Sequence, residues 1–154
     1  MTKISASTSW QRQGARFTDN RYSRAHVWQF DGGAEIPASS SPHIVPSPMS
    51  DETAVDPEEA FVASLSSCHL LWFLSIVAQE GFIVDRYTDQ AHGRMQQDSL
   101  GNYVISDVTL TPEVDWSGDH EPSPDQIHRF HELAHQKCFI ANSVKTAVHV
   151  QPRI

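Results

Sequence analysis

The segment Ala60–Ala78 contains no charged residue, and it follows a strong signal for the start of a helix. Asp56 has the side chain of a helix N-cap, and Pro57 suits the first helical position, where a missing N–H costs nothing. Glu59 stands three residues after Asp56, which is the spacing of a capping box. A glycine directly after Glu80 is a typical left-handed stop. The pattern therefore predicts a helix from Pro57 to about Glu80.

A membrane helix is the alternative interpretation, because about twenty apolar residues can span a bilayer. The run, however, contains four serines and His69, acidic residues close both of its ends, and no basic residues flank it. Membrane helices are usually flanked by basic residues on one side. A helix that is apolar nearly all round in a soluble chain usually lies in the core. We therefore expect a central core helix, a buried Cys68 and no membrane contact.

Short segments on both sides of this helix predict strands. Tyr103–Trp116 alternates most clearly between apolar and polar residues, which predicts one buried face and one exposed face. The apolar residues at its even positions are Val104, Val108, Leu110, Val114 and Trp116. Pro112 favours an edge or a bulge there. The other predicted strands are Tyr22–Phe30 and Ala34–Pro37 around the hairpin turn Asp31-Gly32-Gly33, a weakly patterned one near Ser9–Phe17, Phe82–Gln97, and Ala147–Gln151.

A second helix is predicted to begin at Ser123, because Ser123-Pro124-Asp125-Gln126 repeats the order of cap, proline, acid and capping-box residue. Its apolar stripe weakens near Lys137, and a short helical turn is expected over Ala141–Thr146. The stripe consists of Ile127, Phe130, Leu133 and Ala134. The order of strands, helix, strands, helix and strand indicates an α+β fold.

Length and charge narrow the possible functions. A chain of 154 residues suits one domain over residues 1–154, and its formal net charge of -8 argues against nucleic acid as a partner. Residues 1–10 are polar and lack the apolar core of a signal peptide, so we expect a cytosolic protein. In a reducing compartment, two cysteines are more often catalytic, redox-sensing or metal-binding than a structural disulfide.

The segment His131-Glu132-Leu133-Ala134-His135 matches the zinc motif H-E-x-x-H on a predicted helix. A catalytic zinc needs a third protein ligand, and only Cys138, His128 or His149 could supply one. The competing interpretation is that these histidines flank the apolar stripe and face water. A metal-binding protein built on His131, His135 and Cys138 therefore remains one alternative, although we expect no metal.

Two segments of this sequence resemble the OsmC/Ohr family, the osmotically inducible and organic-hydroperoxide-resistance proteins. The first is Asp56-Pro57-Glu58-Glu59, followed by Cys68 in an apolar helix rich in serine and alanine. The second is Cys138-Phe139-Ile140-Ala141-Asn142-Ser143-Val144, which is similar to the family's second-cysteine segment. The likeness runs from about Tyr22 to Val150, and the two motifs together are fairly specific.

The resemblance implies an intertwined homodimer, with two long central helices and antiparallel sheets outside them. It implies thiol-dependent reduction of organic hydroperoxides, with an external dithiol as reductant and no cofactor. Cys68 would match the peroxidatic cysteine and Cys138 the resolving cysteine. Glu58 would match the glutamate that orients an activating arginine. A thiolate that attacks a peroxide becomes a sulfenic acid, and a second thiol converts it to a disulfide.

The activating cation is where the sequence departs from the family. The family's arginine follows the first strand or lies in the loop before the helix, and that loop contains none here; the remaining candidates are Arg16, Arg21, Arg24 and His43. Ten residues separate Glu58 from Cys68, about 15 Å along a helix, so either the helix bends or Glu58 of one subunit serves Cys68 of the other, and the second hypothesis fits a dimer with paired central helices. The other alternative is a dimer that binds an apolar ligand without catalysis, with the cysteines merely buried.

Overall fold

Two helices and eight strands make up the protein in the computed structural model, which describes all 154 residues. The chain forms two compact units, Met1–Ala60 and Phe61–Ile154, and the boundary falls inside the first helix. The single domain expected from length stays a prediction. In chain order the elements are β1 (Ala6–Ser9), β2 (His26–Phe30), β3 (Glu35–Ala38), α1 (Pro57–Gln79), β4 (Ile83–Asp89), β5 (His92–Gln97), β6 (Tyr103–Leu110), β7 (Pro112–Ser117), α2 (Pro124–Lys137), a 3-10 turn (Ala141–Ser143) and β8 (Ala147–Val150).

The strands form three small sheets, so the predicted α+β class is confirmed. In the first unit, β1, β2 and β3 pair antiparallel in that order. In the second unit, β4 pairs antiparallel with β7, and β6 lies between β5 and β8. The β6–β8 pair is parallel, which corrects the expectation that every strand pairs antiparallel.

The predicted signals at both ends of α1 are present. The Glu59 backbone N–H donates to Asp56 Oδ1 at 2.8 Å, and the Asp56 N–H donates back to Glu59 Oε2 at 3.2 Å. At the other end Gly81 has φ +84°, and the N–H of Phe82 donates to the Val77 carbonyl at 3.2 Å, as in a Schellman motif. The helix therefore begins at the predicted residue and ends within one residue of the predicted end.

Two predicted long strands are each divided in two, and the halves lie in different sheets. Phe82–Gln97 breaks after Asp89, so β4 and β5 separate. Tyr103–Trp116 breaks at Thr111, directly before Pro112, which cannot donate a hydrogen bond to a ladder. The strict alternation fails there as well, since Val104 is exposed and Thr109 is buried. The weak strand near Ser9–Phe17 was wrong, because β1 ends at Ser9.

The second unit packs α1 against both of its sheets. Leu65 of α1 packs with Val108 and Leu110 of β6, and further along the helix Phe73 and Val77 pack with α2 and the β4–β7 pair. The apolar stripe of α2 faces this core as predicted: Ile127, Phe130 and Ala134 are buried and Leu133 is partly buried. By its length and composition alone, α1 is also long and apolar enough to cross a membrane, a property that it shares with the core helices of many soluble proteins. Within this chain, 28% of its most apolar 18-residue segment is buried.

Candidate active site

The two cysteines meet where α2 ends beside α1. Cys68 lies in the middle of α1, and Cys138 caps the C-terminus of α2 with extended backbone angles. Both are free thiols, and they lie close enough together for the Cys68 side chain to raise the pKa of Cys138. Seventy residues apart in sequence, they are therefore neighbours in the fold, which is the arrangement that the resemblance implied.

Cys138 is held firmly in this position. Its own N–H donates to the His135 carbonyl at 3.2 Å, and its carbonyl accepts from the Asn142 N–H at 3.0 Å. Its sulfur accepts a hydrogen bond from the Ala141 N–H at 3.4 Å. The 3-10 turn that follows α2 thus closes around Cys138. The predicted helical turn at Ala141–Thr146 is confirmed in a shorter form, Ala141–Ser143.

The surroundings of the two thiols differ. Cys138 is 2% exposed, and burial together with the hydrogen bond to Cys68 raises the pKa of Cys138 to about 11. Cys138 is therefore a neutral thiol at physiological pH. Cys68 is only partly buried, which corrects the expectation of a fully buried residue. The helix was expected to be covered on all sides, but within one chain part of its surface stays open.

Asp89 fixes the turn of α1 that precedes Cys68. Its Oδ2 accepts a hydrogen bond from the Ser66 hydroxyl at 2.5 Å, and its Oδ1 accepts from the Thr111 N–H at 2.7 Å. The carboxylate therefore ties α1 to the points where both predicted long strands break. Asp89 could not be found from the sequence, because it lies in the middle of the predicted strand Phe82–Gln97 and the end of β4 is visible only in the fold.

An aromatic pair and a lysine lie beside the cysteines. Trp72 is one helical turn after Cys68, and its ring packs edge-on against Phe139, with 5.5 Å between the ring centroids. The ammonium nitrogen of Lys137 lies 5.2 Å from the centroid of the Trp72 ring. Phe139 is 67% exposed and Lys137 is exposed, so this side of the site is open. Sequence reasoning did not identify these three residues.

The HExxH segment has a different role from either interpretation of it. His131 is 2% exposed and stacks on Phe73, with 4.2 Å between the ring centroids. Its Nδ1 lies 2.9 Å from Nε2 of His69, which is 1% exposed, so the two rings share a hydrogen bond between α2 and α1. The expectation that His131 faces water was therefore wrong. The signal that could have found this pair is His69, a polar residue inside an otherwise apolar core helix.

Both histidines are neutral in the folded protein. Burial, and secondarily the charge of His135, lowers the pKa of His69 to about 4. Burial lowers the pKa of His131 to about 3, with smaller effects from His69 and His128. The outer ring nitrogens, Nδ1 of His69 and Nε2 of His131, have no hydrogen-bond partner.

A metal site is not assembled here. His131, His135 and Cys138 do not form a group of three side chains that could hold one ion, and no other group of His, Cys, Asp and Glu does. The metal-binding alternative therefore lacks its ligand set. The physical reason is that the ring of His131 points into the core, where it pairs with His69.

Glu58, the third predicted site residue, lies in the first turn of α1 and is partly buried. Its Oε2 is buried and has no hydrogen-bond partner. Since α1 is continuous from Pro57 to Gln79, Glu58 is about 15 Å along the axis from Cys68 of the same chain. The structure therefore does not bring Glu58 together with the two cysteines within one chain.

None of the candidate cations is an evident activator. The guanidinium of Arg24 donates hydrogen bonds to the backbone carbonyls of Asn20 and Tyr22 and to Asn20 Oδ1, and it lies 3.8 Å from the centroid of the Tyr22 ring. Arg24 is thus engaged within its own turn. Arg16, Arg21 and His43 are exposed.

A groove of about 680 Å³ lies elsewhere in the second unit, between the N-terminal part of α1 and the sheet of β5, β6 and β8. Four of its eight lining residues are apolar and two are charged, and neither cysteine lines it. Its lining residues are Phe61, Asp98, Val104, Ile105, Ser106, Val144, Lys145 and Thr146.

The arrangement of the chain is similar to that of known proteins. A family model described as OsmC-like protein matches residues 50–153. The solved structure of an OsmC-like protein of unknown function from Vibrio cholerae is 51% identical, with 99% of this chain and 100% of that chain covered and a TM-score of 0.97. No protein with a curated functional description matches the chain in sequence.

More distant structures share the fold. An organic hydroperoxide resistance protein from Elizabethkingia anophelis is 17% identical, with 99% of this chain and 94% of that chain covered and a TM-score of 0.71. The organic hydroperoxide resistance protein OhrB of Bacillus subtilis is 15% identical, with 99% and 98% covered and a TM-score of 0.71. At such identities the similarity concerns the architecture alone.

Proposed function

Because the chain belongs to the OsmC-like protein family, we propose that it is a thiol peroxidase that reduces organic hydroperoxides through Cys68 and Cys138. The observation that carries the proposal is the contact between a partly exposed thiol and a buried one. Distant structural relatives are named organic hydroperoxide resistance proteins, and this supports the choice of substrate.

The different exposure of the two thiols supports a different role for each. Cys68 is the sulfur that a peroxide can reach, so its thiolate attacks the terminal oxygen of ROOH. The O–O bond breaks, the sulfur becomes a sulfenic acid, and the alkoxide takes a proton and leaves as ROH. Cys138 remains a thiol during this step because burial and its neighbour raise its pKa to about 11.

The second step closes the disulfide. The sulfur of Cys138 attacks the sulfenic sulfur of Cys68, an S–S bond forms, and the hydroxyl leaves with the Cys138 proton as water. Once Cys68 is a neutral sulfenic acid, its thiolate no longer opposes ionisation of Cys138. An external dithiol then reduces the disulfide by exchange and is itself oxidised to a disulfide. Such a cycle belongs in a reducing compartment, and we propose the cytosol.

A homodimer is part of the same proposal. Exposed residues recur every third or fourth position along α1, which leaves one face of the helix uncovered within the chain. They are Ala63, Ser67, Leu71, Ser75 and Ala78. Small residues at this spacing let two helices approach closely. We propose that pairing of α1 with its copy brings Glu58 of one subunit near Cys68 of the other.

Peroxide consumption in single turnover tests the proposal. Reduced protein is mixed with one equivalent of cumene hydroperoxide, without added reductant, and the remaining peroxide is measured. Wild type and Cys138→Ser should each consume close to one equivalent, because only Cys68 attacks. Cys68→Ser should consume none. Equal consumption by Cys68→Ser and wild type, or no consumption by wild type, would refute the proposed activity.

The groove near Phe61 favours a second function, the binding of an apolar ligand without catalysis. Its volume of about 680 Å³ falls within the usual range of small-molecule sites, and half of its eight lining side chains are apolar. An environment-sensitive hydrophobic dye distinguishes the two functions. If this function is correct, Val144→Asp abolishes dye binding, whereas Cys68→Ser binds the dye as the wild type does.

A further inference from the structure

A cysteine that attacks a peroxide must be ionised, and the cation that favours its thiolate has to lie near it. The second unit contains six arginines and lysines in all: Arg86, Arg94, Arg129, Lys137, Lys145 and Arg153. Arg86 and Arg94 are paired with Asp115 and Asp107 at 2.7 and 2.9 Å. The remaining question is which of the others lies beside Cys68.

Lys137 is placed by two independent contacts. Its backbone directly precedes Cys138, whose thiol lies close to that of Cys68. Its ammonium group lies over the Trp72 ring, at 5.2 Å from the centroid, which is within the range of a cation–π interaction. The side chain is thus directed toward α1 although it is exposed.

Trp72 connects this position to the thiol. Residues four apart on a helix lie on the same face, so Trp72 is the neighbour of Cys68 one turn further along α1. Long helical side chains point back toward the N-terminus, so the Trp72 side chain is expected to lean toward the turn that holds Cys68. The contact with that ring therefore places the Lys137 ammonium on the side of α1 that carries Cys68, where a cation favours the thiolate through space.

We propose that Lys137 is the cation that stabilises the Cys68 thiolate, held in place by the Trp72 ring, in a chain whose loop before α1 has no arginine. The inference rests on the proposed function, because it concerns the thiolate that attacks the peroxide. Lys137 does not contact the peroxide but stabilises the charge of the thiolate through space. This stabilisation weakens as the salt concentration rises, because the Lys137 ammonium is exposed.

Titration of Cys68 in a Cys138→Ser background tests this inference, because the chain has only two cysteines. The ultraviolet absorbance of the thiolate is followed against pH, and the Cys68→Ser/Cys138→Ser double variant serves as the blank. Lys137→Gln should move the midpoint of the absorbance rise to higher pH by about half a unit, while Lys137→Arg should keep the midpoint close to the starting value.

Arg129→Gln is the matched control. It removes one positive charge from the same helix by the same substitution, at an exposed residue roughly two turns before Lys137 that has no cation–π contact with Trp72. Its midpoint should move by no more than roughly a fifth of the Lys137→Gln shift, and high salt should shrink that larger shift. Equal midpoints for Lys137→Gln and its parent, or equal shifts for Lys137→Gln and Arg129→Gln, would overturn the inference.

The two proposals fail in different ways. If wild type consumes no peroxide but Lys137→Gln still shifts the titration, the proposed function fails and the assignment of Lys137 stands. If peroxide is consumed but the titration is unchanged, Lys137 is not the cation and the peroxidase activity stands.

Discussion

Gly93 shows how closely α1 approaches the sheet that carries β5. A Cβ atom at this position would lie 3.1 Å from Cγ2 of Val62 and 3.3 Å from Cγ2 of Ile105. The hydrogen of glycine is therefore what allows the N-terminal half of α1 to pack against β5 and β6. The height of this helix above the sheet sets where the turn containing Cys68 lies.

Gly93→Val is therefore expected to destabilise the protein by about 1–3 kcal/mol, because the added methyl groups overlap α1. Denaturant unfolding measures the loss. Gly32→Val is the control, because a Cβ at Gly32 meets no atom within 4 Å. A Gly93→Val protein as stable as the Gly32→Val protein would show that the close approach has no energetic consequence.

The individual site residues could be predicted only where their chemical type was rare. Two cysteines in a chain of 154 residues stand out, and the contact between Cys68 and Cys138 agrees with the pairing implied by the resemblance. The exposure of Cys68 could not be predicted, because a helix that is apolar all round does not reveal which face is covered. Lys137 was equally hidden, since its position depends on the ring of Trp72 rather than on any motif.

The junction between α1 and α2 contains the His69–His131 hydrogen bond, a neutral pair in the core. The pKa values of these histidines are lowered from 6.5 to about 4 and about 3, mainly by burial. In the unfolded chain both rings are free to take up protons near pH 6.5. Their contribution to stability is therefore fully present above pH 6.5, and it is lost as the pH falls from 6.5 toward 4.

Acid should therefore lower the stability of the protein by protonating the two buried histidines, in addition to its effect on surface groups. We expect the free energy of unfolding to fall by about 1.4 kcal/mol per pH unit for each of the two histidines below pH 6.5. Denaturant unfolding at several pH values between 7 and 5 measures the slope. In the double variant His69→Leu/His131→Leu the slope should be much shallower. An unchanged slope in that variant would assign the acid sensitivity to other groups.

Helices were predicted more accurately than strands, for a local reason. The capping residues Asp56 and Ser123 fix the helix starts through contacts with residues three positions away, which the sequence displays directly. The breaks after Asp89 and at Thr111 depend instead on contacts with α1 and on sheet membership, which only the folded chain provides. Pro112 was a sign of the second break, and we interpreted it as an edge or a bulge within one strand.

The uncovered face of α1 concerns the molecule as an assembly. Leu71 lies in the middle of that face and is 65% exposed, four residues after Ser67 and four before Ser75. Pairing of two such faces would bury it, and a charge there would be left without water or a partner. The proposed homodimer therefore makes Leu71 a sensitive position.

Leu71→Asp is expected to convert the dimer to a monomer, with light scattering after size-exclusion chromatography as the measurement. Leu100→Asp provides the control, because Leu100 is 83% exposed in the turn between β5 and β6. The control should keep the mass of the wild type. A wild-type protein with the mass of one chain at micromolar concentration would contradict the dimer, as would a Leu71→Asp protein that remains dimeric.

The central claim is that Cys68 and Cys138 form one redox couple, and intact-mass analysis under non-reducing conditions tests it most directly. Reduced wild-type protein is treated with one equivalent of an organic hydroperoxide and then digested for peptide mapping. The account predicts a chain that has lost two hydrogen atoms, with the Cys68 and Cys138 peptides joined, and an oxygen adduct on Cys68 in the Cys138→Ser variant. Two unmodified thiols after all the peroxide has been added, or oxidation confined to Cys138, would contradict it.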